Sequence, residues 1–216
     1  EMTSRDWSSD VCSSDLGMSS FYATLSRMKY IERWALMRSS RSESLSEHCL
    51  DVAMIAHALC LIGKKRYGKN LNAEKAALIG IYHDASEIIT GDMPTPVKYA
   101  NSEIRDAYKD VEAKAEKRLV HMLPSDLQED YLGIFQGDGS EEDTYMRHLV
   151  KAADKISALI KCIEEVDAGN PEFRTAKVST EKVVDEMCKK YPEVKTFCEE
   201  FLPDYGNTLD ELLSAH

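Results

Sequence analysis

The chain has 216 residues, enough for one domain with a real core and cramped for two. Its formal net charge of -11 argues against a nucleic-acid polymer or an anionic membrane as the chief partner, since either would be repelled without a basic patch. A small phosphate ester stays open, because one bound cation and one arginine can reverse the field inside a pocket.

Hydrophobic residues make up 43% and charged residues 30%, the balance of a soluble globular chain, and no uninterrupted apolar run approaches the roughly 20 residues of a bilayer span. The six cysteines form no C-x-x-C pair and are expected to be reduced thiols of a cytoplasmic protein. Residues 1–17 (EMTSRDWSSDVCSSDLG) repeat Ser-Ser-Asp, lack any helical or strand period and read as a disordered leader or an artefact, leaving residues 18–216 as the domain.

From Ser19 onward apolar residues recur at three- and four-residue spacing, which predicts a single-domain, all-α helical bundle. A short helix is expected over about Phe21 to Tyr30, then an irregular stretch from Glu32 to Arg38. Ser44-Leu45-Ser46-Glu47 has the form of a capping box, and the helix it opens turns Leu45, Val52, Ile55, Leu59 and Ile62 inward before stopping at Gly68. His48 therefore lies in its first turn.

A third helix starts after Asn72, carries Ala76, Ile79 and Gly80 on one stripe, and delivers His83-Asp84 at its end. The prolines and glycine of Thr90-Gly-Asp-Met-Pro-Thr-Pro96 predict a rigid loop. Further helices are expected at about Ser102–Met122, Ser125–Ile134 and Glu141–Asp167, with packing helices from about Thr180 to Phe201 broken at Pro192. Asp154 falls in the middle of the Glu141–Asp167 helix.

Three helices thus each present a ligand-type residue near an inner face: His48, His83-Asp84 and Asp154. A lone histidine is more often a hydrogen-bonded core residue, and Asp154 has Lys151 and Lys155 as alternative partners. Together, two imidazoles and two carboxylates suit one divalent transition ion (Mn, Co, Fe, Ni or Zn) with positions left for water and a phosphate oxygen. His57, nine positions after His48, falls on the opposite side of its helix, and His121, His148 and His216 have no ligand-type neighbours.

The order His, His-Asp, distant Asp resembles the HD superfamily of metal-dependent phosphohydrolases. The flanks Arg33-Trp34-Ala-Leu-Met-Arg, Ser46-Glu47-His48, Tyr82-His83-Asp84-Ala-Ser-Glu87 and Thr90-Gly-Asp92-Met-Pro94-Thr95-Pro96-Val-Lys-Tyr are similar to those of the bacterial 5'-deoxynucleotidase YfbR-like family, from Phe21 to Leu213.

The resemblance implies a homodimer with a cobalt or manganese ion on His48, His83, Asp84 and Asp154. It further implies hydrolysis of deoxyribonucleoside 5'-monophosphates, with Arg33 and Trp34 orienting the phosphate and crowding the sugar's 2' position. His48, Asp84, Asp92, Thr95 and Asp154 would also touch the substrate. Glu87, three residues after Asp84, is placed to hold the attacking water, and Asp92 to protonate the leaving 5' oxygen. Arg33 as a surface cation, Trp34 as a core plug, Glu87 as a lysine's partner and Asp92 as a turn cap remain the plainer readings. So do two other functions: a phosphohydrolase acting on a nucleoside triphosphate or cyclic phosphodiester, and a non-catalytic helical module with a structural metal.

Overall fold

The computed structural model describes residues 18–98 and 101–214, the side chains of Thr95 and Pro96 excepted; the expected leader at 1–17 lies outside them, as does His216. The chain opens with α1 (Phe21–Leu25) continuing into a 3-10 turn at Ser26–Tyr30, so the expected first helix is two pieces, the second more tightly wound. The stretch expected to be irregular holds β1 (Glu32–Arg33), paired antiparallel with β2 (Glu43–Ser44), with Arg33 directly opposite Glu43.

The capping box is present as predicted: Ser44 Oγ accepts from the Glu47 amide and the Glu47 carboxylate accepts from the Ser44 amide. It opens α2 (Leu45–Arg66), whose residues Leu45, Val52, Ala56, Leu59 and Cys60 are fully enclosed. By length and composition α2 is apolar enough to cross a membrane, a property the sequence reading missed because charged residues interrupt the run. Here it is the central core helix, packed against α3, α8 and α10, and Leu50, Met54 and Leu61 add apolar residues on its exposed side.

Asn72 caps α3 (Ala73–Tyr82) through its side chain, which accepts from the Lys75 amide. α3 crosses α2 so closely that a Cβ on Gly80 would come within 2.7 Å of the Ala53 Cα, which explains the glycine on an otherwise apolar stripe. After the His83–Ser86 turn come α4 (Glu87–Thr90) and α5 (Thr95–Lys98), each one turn long. The expected loop is thus partly helical: Pro96 sits at the second position of α5, where a missing N–H costs no intrahelical bond.

α6 (Ser102–Val120), α7 (Ser125–Gln136) and α8 (Glu141–Asp167) follow near their expected bounds. α9 (Arg174–Lys190) begins earlier than predicted, and Pro192 opens α10 (Pro192–Glu200), with α11 (Leu209–Ser214) last.

α2, α3, α8, α9 and α10 share the larger core, including Val52, Leu59, Leu149, Ile156, Val194 and Phe197. Phe21, Met28, Leu45, Cys49, Ala85, Leu119 and Leu123 form a smaller one. Leu45 and Cys49 feed the smaller core while Val52, one turn on, feeds the larger. His48 therefore stands where the two cores meet, and the site is built at that seam. The five described cysteines are free, three of them buried.

Candidate metal and phosphate site

α2 delivers His48, the end of α3 delivers His83 and Asp84, and the middle of α8 delivers Asp154. One ligand atom each from His48, His83 and Asp154 lies within 4.8 Å of the others. His48 Nε2 is 3.3 Å from Asp154 Oδ1 and 3.8 Å from Asp84 Oδ2, and Asp84 Oδ2 is 3.1 Å from His83 Nε2. Asp84 thus stands beside the tighter three-residue set rather than inside it.

The far nitrogens of both rings are engaged, which aims the Nε2 atoms at the cluster. His48 Nδ1 is 3.0 Å from Ser157 Oγ, and His83 Nδ1 donates to the Gly80 carbonyl at 2.7 Å. The two Nε2 atoms are buried with no hydrogen-bond partner among the described residues. Orphaned imidazole nitrogens facing carboxylates are the donor set a divalent ion takes, and a second bond from each ring fixes its orientation. The residues present fit such an ion.

The electrostatics agree with that fit. Burial, reinforced by Arg33, pushes His48 down to about 4, so its ring is neutral at pH 7 and its Nε2 lone pair is available. Burial disfavours charge on His83 as well, but the Asp84 carboxylate outweighs it and raises the ring's pKa. Asp84 in turn is held at about 2 by His83 against the upward push of burial. Asp154 is likewise lowered despite burial, by His48 and by Lys155 at 3.0 Å. The lysine partner considered from the sequence is real and coexists with the cluster.

Glu87 is the carboxyl pushed furthest up at the site. It is 6% exposed, its Oε2 has no hydrogen-bond partner among the described residues, and its amide donates to the Asp84 carbonyl at 3.0 Å. It begins α4 rather than continuing α3, so it reaches the cluster through a turn and not along one helix face. Burial, then Asp84 and Asp92, pushes it up to about 9. Asp92 is raised too, by burial against the pull of Arg33. It follows Gly91, whose φ of 74° ends α4, and Tyr108 Oη donates to Thr90 Oγ1 and the Gly91 carbonyl at the same corner.

Arg33 has a side chain only 13% exposed. Burial disfavours its charge, but Glu43, Asp154, Asp84 and Asp92 outweigh that and hold it firmly protonated. Trp34 packs on Phe173 with ring centroids 5.4 Å apart. Thr95 opens α5, and the expectation for its side chain lies outside the described residues. His57, His121 and His148 take no part: His121 Nδ1 donates to the Lys117 carbonyl and His148 stacks near Tyr191.

Three residues near the site went unread in the sequence. Ser157 lies one helical turn after Asp154 on the same face of α8, a spacing that could have suggested it. Lys98 faces both Glu87 and Asp92, and Glu43 binds Arg33 and Trp34; each pairing closes a short stretch of chain at no helical spacing and so leaves no periodic signal.

Comparison with known proteins points the same way. Residues 20–205 match the family model of the YfbR-like 5'-deoxynucleotidases. A 5'-deoxynucleotidase of Photorhabdus laumondii is 47% identical over 195 residues, covering 90% of this chain and 97% of that protein. One of Vibrio parahaemolyticus is 48% identical over 194 residues, covering 90% and 98%. An HD-domain phosphohydrolase of Listeria innocua superposes with a TM-score of 0.72 at 26% identity, over 90% of this chain and 95% of that one. With two histidines and two aspartates gathered from α2, α3 and α8 in the order of the HD signature, the chain belongs to the YfbR-like 5'-deoxynucleotidase family of HD-domain phosphohydrolases.

Proposed function

We propose that this chain hydrolyses deoxyribonucleoside 5'-monophosphates to deoxynucleoside and phosphate. The observation that carries the reading is the His48, His83 and Asp154 cluster, bordered by Asp84 and Glu87, with a buried, firmly charged Arg33 coupled to its carboxylates. A phosphate clamp, a metal-ligand set and a proton-holding carboxyl meet in one place.

His48, His83, Asp84 and Asp154 would hold one divalent transition ion, which when bound supplies Lewis acidity to the phosphoryl oxygens and to water. Cobalt or manganese is our choice, supported by the mixed nitrogen and oxygen donor set. The remaining work belongs to the protein. Arg33 binds phosphate oxygens through its guanidinium fork, and His48, Asp84 and Asp154 border the phosphate. Trp34, backed by Phe173, fills the space beside the sugar's 2' carbon, where a hydroxyl would clash.

Glu87 holds the attacking water and takes its proton as the new P–O bond forms. Its high proton affinity persists against the pull of Lys98 and Arg33, and a bound cation would lower it toward the range in which a general base works. Asp92, raised by burial, gives a proton to the 5' oxygen as the old P–O bond breaks. Thr95 donates a hydrogen bond to the nucleotide. Exposed Leu50, Met54 and Leu61 on α2 support a homodimer, and the free cysteines support a cytoplasmic setting.

The test is phosphate release from dAMP, AMP, dATP and 2'-deoxyadenosine 3'-monophosphate with Mn or Co, using Asp154→Ala as the blank. Release from dAMP alone, absent in the variant, is expected. Release from dATP would move the reading to another HD phosphohydrolase, and no release despite bound metal would leave a binding module.

A further inference from the structure

We infer that Glu43 is a positioning residue that ties Arg33 and Trp34 into one rigid unit, so that phosphate orientation and deoxyribose selection are set by a single carboxylate. This rests on the roles given above to Arg33 and Trp34. Glu43 Oε2 accepts from both side chains, from an Arg33 guanidinium N–H at 3.0 Å and from Trp34 Nε1–H at 2.9 Å.

Two neighbours along a strand normally point to opposite faces, so one acceptor cannot serve both. Here Trp34 has a φ of 60°, the only positive value at a non-glycine among the described residues. That left-handed turn, immediately after β1, swings the indole to the side on which Arg33 already faces Glu43 across the ladder. A bulky residue adopts this conformation only when its surroundings over-determine it. The surroundings are the carboxylate on the indole N–H, the Phe173 ring on the indole face, and the Trp34 carbonyl accepting from the Met37 amide at 2.7 Å.

The pairing also protects the metal ligands. Arg33 feels Asp154, Asp84 and Asp92 as well as Glu43. Left free, the guanidinium would turn to those carboxylates and compete for the atoms that bind the ion. Glu43, a residue outside the cluster, fixes one of its five N–H donors and leaves others for phosphate. With side chains only 13% and 11% exposed, the ion pair is shielded from solvent and geometrically fixed, unlike an exposed pair.

Glu43→Gln and Glu43→Ala separate the two bonds. The Gln carbonyl still accepts from the indole but carries no charge, so Glu43→Gln should keep the preference for dAMP over AMP while KM for dAMP rises about tenfold, the scale of one charged hydrogen bond. Glu43→Ala should lose both, with the dAMP-to-AMP ratio of kcat/KM falling toward one and KM rising at least as far. A readout independent of turnover is Trp34 fluorescence in a Trp7→Phe background, since the sequence has two tryptophans. Emission and acrylamide quenching should change in Glu43→Ala and much less in Glu43→Gln.

Unchanged emission, KM and sugar preference in Glu43→Ala would overturn the inference. Should the Ala variant not fold, Glu43→Gln with parental KM would do so instead. If the parent enzyme shows no dAMP preference while Trp34 emission still responds to Glu43→Ala, the assigned role of Trp34 fails and the coupling through Glu43 is overturned with it as a specificity device.

Discussion

Glu165→Ala probes the scaffold that holds the Trp34-to-Ser42 strap beside the site. Glu165 is 1% exposed on α8. It accepts from the Ser40 amide at 2.8 Å, the Arg41 amide at 3.3 Å, Asn170 Nδ2 at 2.8 Å and Lys161 Nζ at 2.5 Å. The variant leaves the Lys161 ammonium buried without its carboxylate, a change that costs about 3–5 kcal/mol. Water recovers part of what the two strap amides lose, so about 4 kcal/mol in total is the working figure. At roughly 2–4 °C per kcal/mol for a chain of this size, Tm should fall by about 8–16 °C at pH 7.

The pH dependence has a definite sign. The Glu165 carboxyl is held well below the usual carboxylate range by Lys161, Asn170 and the Ser40 amide, against burial. A depressed folded-state pKa stabilises above the unfolded value of about 4.3 and loses that contribution as pH falls. The gap between parent and variant should therefore be full at pH 7 and shrink steadily below about pH 4. Calorimetric melts across that range test it, with Glu165→Leu combined with Lys161→Met expected to regain most of the loss. A single variant within about 1 kcal/mol of the parent, or a gap independent of pH, would refute the reasoning.

Gly80→Ala drives a methyl against the Ala53 backbone at 2.7 Å, so a loss of about 1–3 kcal/mol is expected, read by urea unfolding. Because the Gly80 carbonyl orients His83, that variant should also bind Mn more weakly in a calorimetric titration. Ser157→Ala removes the partner of His48 Nδ1 and should lower metal affinity by about 10- to 100-fold, at a cost of about 1–3 kcal/mol in stability for the buried nitrogen left unpaired. Mn at about 100 times its Kd should stabilise the parent by about 2.7 kcal/mol, reversed by a chelator and absent in Asp154→Ala; equal shifts in both proteins would place the ion elsewhere.

What could be read from the sequence was what depends on local spacing. Helix periodicity, the Ser44 capping box, the Asn72 cap and the Pro192 break are all contained within a turn or two of chain, and so are His83-Asp84 and Glu87. The signature order picks out the members of the His48, His83 and Asp154 cluster even though Asp154 lies 106 positions after His48. The β1–β2 pair escaped notice because two-residue strands carry no alternation. Glu43 escaped for the same reason: its link to Arg33 is a cross-strand register, and its link to Trp34 depends on a backbone dihedral that no residue type in the stretch announces. The end of the third helix at His83-Asp84 was legible, but the three-residue spacing from Asp84 to Glu87 suggested a shared helix face, whereas the amides of Ala85, Glu87 and Ile88 bond three residues back instead of four.

The charges of the site explain why these cross-chain contacts matter. Asp84, Asp154, Glu87 and Asp92 face Arg33, with Lys98 and Lys155 at the margin. Burial first, and then Asp84 and Asp92, raises the proton affinity of Glu87, while Glu43 and then Asp154, Asp84 and Asp92 hold the charge on Arg33 against burial. A phosphate monoester adds more negative charge, so it can settle only where positive charge is concentrated and fixed. In the role proposed for it, Arg33 would fail if it collapsed onto Asp84 or Asp154, since it would then neutralise the proposed ligands rather than a substrate phosphate. An opposing anchor for the guanidinium is thus a requirement of the electrostatics, and Glu43, outside the metal-ligand set and directly across the β ladder, is where the fold provides it.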